Sequence, residues 1–350
     1  MRLKKTVKIL LASIVLGVST IGINGVQAQN SQEPDLYINN SIQGSEKKIM
    51  EDVISTLPIE DRENVIYITK GGDIYANKPE LKDDIEELTS VKDNVYKNSI
   101  GEQFIFPKSD PKPSVVKNTY FSVSKVAAPN CSNGGTGPYR RVYSSTGYSW
   151  LSMKVHIPSE TEIKDLGPGT STGDTGYIYT GGWGGDKSLT VDAGMQHNTL
   201  KKNWSGAIRV SGNSAPFDMT NRYQPNQDVQ MKFYVNANNS VTLVITGILI
   251  DGIKKTQTVV AEAQGFTLDG SNNILKRITS IGQTKGKENF ATGSYMNNIH
   301  WYDVNIGKSS INNTPWNSGS QSGGLCSYPN NTKVKTSYTN QGEETVSIDL

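Results

Sequence analysis

The sequence predicts a mainly β protein: a concanavalin-like jelly-roll β-sandwich preceded by a small α+β module. Three observations lead there. From residue 119 onward, short runs of alternating apolar residues follow one another between Gly, Asn, Pro and Asp, and no strong helical period interrupts them. Of the 34 glycines, 27 lie in that region, as do all five tryptophans. Residues 29–118, by contrast, hold 17 acidic and 11 basic side chains and two runs with helical spacing. The 350-residue chain is 35% hydrophobic and 19% charged, with a net charge of +2. Those values exclude a membrane bundle, a coiled coil and a highly charged disordered tail.

At the N-terminus, Arg2, Lys4, Lys5 and Lys8 precede an apolar run from Ile9 to Ile23, and then Val26-Gln27-Ala28. A basic start, an apolar middle and a small-residue site predict a signal peptide over residues 1–28 and a secreted chain with no membrane anchor after cleavage. The alternative, an uncleaved anchor helix, is disfavoured because the run falls short of the ~20 residues that span a bilayer.

The acidic module is expected over 29–106. Apolar residues at 49, 50, 53, 54 and 57 predict a helix, with Ser45 as its N-cap. Val65–Thr69 and Ile74–Ala76 read as two strands around the turn Lys70-Gly71-Gly72-Asp73. Leu81, Ile85 and Leu88 predict a second helix over Lys78–Val91. The module reads as an accessory domain or as a pro-segment. Residues 107–118, with three prolines, predict an extended linker.

The β-sandwich domain is expected over 119–308. Its strands are Thr119–Val126, Arg140–Ser145, Ser149–Ile157, Gly176–Thr180, Ser188–Gln196, Trp204–Val210, Val229–Val235, Val241–Leu249, Lys255–Ala263, Ile274–Ile281 and Ile299–Ile306. Residues 309–350 lack apolar periodicity and are expected to be irregular beyond Cys326. The only cysteines, Cys131 and Cys326, predict one disulfide that closes nearly the whole Gly-rich region. The chain is expected to be a monomer.

Strand alternation sorts side chains to the two sides of each strand. It sends Leu151, Met153, Val155 and Ile157 to the core and Trp150, Lys154 and His156 away. It sends Val191, Ala193 and Met195 inward, and Asp192, Gly194 and Gln196 outward. Gln230, Lys232 and Tyr234 face away from the core, as does Arg209. In Ile299–Ile306, His300, Tyr302, Val304 and Ile306 share one side, while Trp301, Asp303 and Asn305 share the other. Trp183, among four glycines in Gly181–Gly185, is a further candidate for presentation to a ligand. If those sides line one hollow, rings can stack on sugars while carboxylates, amides and guanidinium groups bond hydroxyls. Gly194 would leave room for the ligand.

The predicted glycan-binding residues are therefore Trp150, Trp183, Asp192, Gln196, Arg209, Tyr234, Trp301 and Asp303, with a polysaccharide or cell-wall glycan as partner. An ordinary solvated sheet face competes with this reading, in which case the chain would be a structural envelope or matrix protein without a small ligand. Catalysis is less well supported than binding. A hydrolase would need Asp192 and Asp303 as its carboxylate pair. A lyase would need His156, Gln196, Arg209 and Tyr234 to remove a proton and neutralise a uronate. A serine nucleophile lacks the G-x-S-x-G elbow. Two cysteines and three scattered histidines predict no metal, and no cofactor is expected. Lys201-Lys202 is too small a basic cluster for nucleic acid.

The stretch Thr190-Val191-Asp192-Ala193-Gly194-Met195-Gln196, followed by Trp204 and Gln230-Met231-Lys232-Phe233-Tyr234, resembles the YrpD family of secreted proteins from Gram-positive bacilli. Asn298-Ile299-His300-Trp301-Tyr302-Asp303-Val304 fits as well. The resemblance covers roughly residues 119–306. It implies export and a β fold, and supplies no catalytic residues.

Overall fold

A computed structural model describes residues 33–107, 136–164, 166, 173–185, 190–198, 203–213, 215–317 and 321–350. The expected signal peptide, the strand Thr119–Val126, Cys131 and nearly all of the linker lie outside the described residues. Within the described residues no helix is long and apolar enough to cross a membrane.

The acidic segment contains α1 (Gly44–Ser55), β1 (Val65–Ile68), β2 (Ile74–Ala76), β3 (Ile85–Glu87), β4 (Thr89–Lys92), β5 (Val95–Lys97) and β6 (Gln103–Ile105). Then come β7 (Tyr139–Ser144), β8 (Trp150–Ile157), β9 (Ile163–Lys164), β10 (Thr175–Trp183), β11 (Thr190–Asn198), β12 (Asn203–Val210) and β13 (Phe217–Tyr223). They are followed by β14 (Gln227–Ala237), β15 (Ser240–Ile248), β16 (Lys254–Glu262), β17 (Ile274–Gly282) and β18 (Tyr295–Gly307). Last are β19 (Asn313–Pro315), β20 (Ser322–Tyr328), β21 (Val334–Asn340) and β22 (Glu343–Asp349).

Two large sheets form a sandwich. The first runs β2-β1-β16-β15-β14-β8-β18-β22-β21, with β9 and β19 also paired to β18. The second runs β20-β7-β17-β10-β11-β12-β13-β3. Among the described residues every ladder is antiparallel except β1 with β16. The inner faces meet where alternation placed them: Leu151, Met153 and Val155 of β8, and Met231 and Phe233 of β14, pack in one cluster with Val191, Ala193 and Met195 of β11. Fully burying each of the Leu, Met, Val and Phe side chains among them stabilises the fold by roughly 1.5–3 kcal/mol. The β14–β15 hairpin turns through Asn239 at φ +63°, a left-handed conformation that Asn adopts readily.

The acidic segment is expected to fold as its own module; its strands β1 to β3 are instead built into the two large sheets, while β4, β5 and β6 form a separate three-stranded sheet. β1 pairs with β16 (Val65↔Thr258 to Ile68↔Ala261), and β3 pairs with β13 (Phe217↔Glu87). A short acidic segment has little core of its own, and ladder partners on the sandwich edges supply what it lacks. The expected helix over Lys78–Val91 is a six-residue 3-10 turn, Pro79–Asp84, that passes into β3 and β4. Pairing with β13 outweighs the weak helical spacing there. Helix α1 begins at Gly44 after Gln43, which makes no side-chain cap, so Ser45 lies inside the first turn.

Residues 309–350 also differ from expectation. β20 joins the second sheet beside β7, and β22 adds to β18, sending Val346 and Ile348 into the core.

The two layers are tied by a buried charge triad. Glu344 of β22 accepts from Arg140 Nε of β7 at 2.5 Å and from Arg277 Nη1 of β17 at 2.6 Å. Arg277 lies 5.6 Å from the Trp301 ring centroid and donates from Nε to the Gln341 carbonyl at 3.0 Å. Burial lowers the Arg277 pKa, and Glu344 opposes that shift.

Candidate functional site

An open cleft of about 540 Å³ lies on the outer face of the first sheet, along β8, β14 and β18. Its principal polar groups are Lys154, Gln230, His300, Tyr302, Asp303 and Glu343. The backbone of β18 creates it. Register slips between Tyr302 and Asn305 against β8, and Asp303 takes φ +50°. This β-bulge lets Tyr302 and Asp303 both turn outward, while Trp301 and Val304 turn in. Lys154 Nζ meets Asp303 Oδ2 at 2.9 Å and stands 5.6 Å from the Tyr302 ring centroid. The His300 and Tyr302 rings stack at 5.1 Å with 22° between planes. His300 Nε2 is 3.6 Å from Glu343 Oε1.

These are solvent-facing pairs, so they hold little energy and can exchange for a ligand's hydroxyls. Burial and the Asp228 carboxylate push Tyr302 up to about 12, so its hydroxyl is a proton donor at neutral pH. Burial also works against the Asp228 carboxylate, but hydrogen bonds from His156 and Tyr302 outweigh it and hold its pKa low. The arrangement suits reversible polar recognition with a ring ledge.

The outer face of the second sheet carries a denser set. Asp192 meets Lys276 Nζ at 2.6 Å, and that Nζ lies 4.3 Å from the Trp183 ring centroid. Gln196 Nε2 and Ser205 Oγ donate to Asp218 Oδ1 at 2.7 and 2.8 Å, and Arg222 Nη2 stands 3.1 Å from Asp218 Oδ2. Burial pushes the Asp218 carboxyl up, and Arg222 opposes it. This face is not solvated. Phe104, Phe106 and Leu88 of the acidic segment pack on Tyr177, Tyr179, Ala207 and Ile278. Sequence reasoning missed Asp218, Arg222 and Lys276. The alternation of Phe217-Asp218-Met219 was the available signal for Asp218.

The eight predicted glycan-binding residues therefore do not line one hollow. Asp303 lies in the open cleft, and Lys154 and His300, named only by their strand side, accompany it. Trp183, Asp192, Gln196 and Arg209 belong to the second sheet's covered face. Trp150 and Tyr234 do point away from the core, but stack on each other at 4.5 Å beneath the cluster formed by α1 and β1. Tyr234 Oη donates to the buried Asp61 at 3.0 Å, and Lys232 meets that carboxylate at 2.7 Å. Trp301 is in the core, fully buried, because the bulge shifts the phase of β18.

Gly194 leaves no room for a ligand either; a Cβ there would lie 2.5 Å from the Ile178 carbonyl oxygen of the neighbouring strand. The carboxylates Asp192 and Asp303 stand on opposite outer faces of the sandwich, so they cannot flank one glycosidic bond. The lyase set is split likewise: His156 and Tyr234 on the first sheet, Gln196 and Arg209 on the second. Among the described residues no group of three His, Cys, Asp or Glu side chains could hold a metal ion.

No family model matches the chain, and no curated protein does. Among solved structures, it is similar to Scytalido-glutamic peptidase with a peptide-based transition-state analogue, at 10% identity and a TM-score of 0.38, covering 61% of this chain and 98% of that one. SCP-B, a member of the Eqolisin family of peptidases in complex with the tripeptide Ala-Ile-His, is similar at 9% identity and a TM-score of 0.36, covering 61% and 98%. At those values no residue and no activity is carried over to this chain.

Proposed function

We propose that the chain is an exported, non-catalytic glycan-binding protein of the bacterial cell exterior, with its sandwich a concanavalin-like jelly roll. The observation that carries the reading is the ledge of stacked His300 and Tyr302 rings beside Lys154, Asp303 and Gln230 in an open cleft. A sugar ring has apolar faces for such a ledge and hydroxyls for such neighbours. Catalysis is not favoured, because the carboxylates and bases named for it stand on different faces. Titration calorimetry with a panel of soluble cell-wall glycans tests the proposal. Tyr302→Ala is expected to weaken binding about fivefold to tenfold, as for loss of one aromatic contact of roughly 1 kcal/mol, with an unchanged melting temperature. A panel with no binder, or equal affinity in the variant, sinks it.

Export carries a second expectation, a Cys131–Cys326 bond. Cys326 is buried in β20. Mass measurement of the intact protein should gain two hydrogens on reduction, and alkylation should follow reduction only. Two thiols that alkylate in the unreduced native or unfolded chain would refute the bond. In the chain-entropy model so long a loop stabilises the fold by about 5 kcal/mol.

A further inference from the structure

The covered face of the second sheet has an occupant, and the way it is held says what the face recognises. Residues 102–107 cross it in extended form. The Ile105 amide donates to Thr175 Oγ1 at 3.1 Å, and Arg209 Nη1 donates to the Pro107 carbonyl at 2.7 Å. The face thus engages main-chain groups. The Phe106 ring packs 5.5 Å from Tyr177, which lies 4.8 Å from Tyr179. Glu102 brings its carboxylate to Arg222 Nη2 at 3.3 Å. A carboxylate, an aromatic ring four residues later and the peptide groups near that ring are all read by side chains of the sheet.

The occupant is also separable. Among the described residues β4, β5 and β6 ladder only with one another, forming a three-stranded sheet apart from the two large ones. β4 is exposed along its whole length. Lifting β4–β6 breaks an apolar contact and a few side-chain bonds but no ladder of the sandwich. On this face Arg209, Arg222 and Lys276 outnumber Asp192 and Asp218, so the bared face favours an incoming carboxylate.

We propose that this face is a polypeptide-binding site masked in cis: Glu102–Pro107 competes with an extended chain carrying the same Glu-x-x-x-Phe spacing. The site is independent of the cleft on the first sheet, and its failure would leave the glycan reading untouched.

The test uses the full chain and a fluorescein-labelled peptide of the sequence of Ser99–Pro107. Phe106→Ala in the protein loosens the mask without altering the face. That variant is expected to bind the peptide at least tenfold more tightly than the unaltered protein. Adding Arg209→Ala, or using a peptide with Gln in place of Glu102, should weaken binding at least fivefold. No gain in a folded Phe106→Ala protein, indifference to Arg209→Ala, or capture of a polyuronate in place of the peptide overturns the proposal. Should Phe106→Ala fail to fold, hydrogen exchange on the unaltered protein decides. β5 and β6 amides at least tenfold less protected than those of β10 and β11 support a mask that opens alone. Equal protection refutes it.

Discussion

Glu344→Ala is expected to lower the unfolding free energy by roughly 3–5 kcal/mol, one of the largest losses any single substitution in this chain should produce. Glu344 is fully buried and accepts from two guanidinium groups, one on each of two strands of the opposite layer. Without it, Arg140 and Arg277 face each other between the sheets with their counter-charge gone. Arg140 keeps a bond to Ser327 Oγ at 3.2 Å, and Arg277 keeps the Gln341 carbonyl, but neither neutralises a charge.

Urea denaturation measures the effect, with the midpoint falling and the slope unchanged if the native state stays compact. A triple replacement of Arg140, Arg277 and Glu344 by apolar residues of similar size should recover most of the loss, since the triad's attraction is spent largely on desolvating its members. A loss under 1 kcal/mol for Glu344→Ala would show that water reaches the interlayer and screens the arginines.

What alternation could and could not reveal follows from the same geometry. On β8, β11 and β14 the pleat runs without interruption through the stretches considered, so apolar residues at every second position name the core side correctly. The sequence around Asp303 carries no Gly or Pro to mark a bulge, and one inserted residue reverses every assignment on one side of it. Alternation also does not distinguish an outward face in water from one beneath another segment. Trp150 and Tyr234 are paired across β8 and β14, and two large aromatic residues side by side on an outer face were the clue to a cover. The acidic segment misled for a related reason. Its composition differs from that of the sandwich because it lies on the outside, which is compatible with being laddered into both sheets. In β22, Val346 and Ile348 alternate with polar residues, but the run is too short to stand out from the polar sequence around it.

The bulge has its sharpest consequence at Trp301. Were the side chain outward, Trp301→Ala would spare stability and weaken a ligand. The structure reverses both expectations. The indole is fully buried, donates from Nε1 to Thr279 Oγ1 at 2.9 Å, and lies against Arg277. Truncation removes the largest type of side chain from a packed interlayer, leaves Thr279 without that donor, and strips Arg277 of its ring contact. A loss of about 3–5 kcal/mol is expected, with glycan affinity of the folded fraction unchanged because Tyr302, the next residue, keeps its place on the opposite side. Because Trp301 and Glu344 both bear on Arg277, their combined loss should depart from the sum of the single losses by about 0.5–3 kcal/mol. Denaturation of the two single variants and the double variant provides the measurement. A Trp301→Ala protein as stable as the parent but deficient in glycan binding would place the indole outside and refute the bulged register of β18.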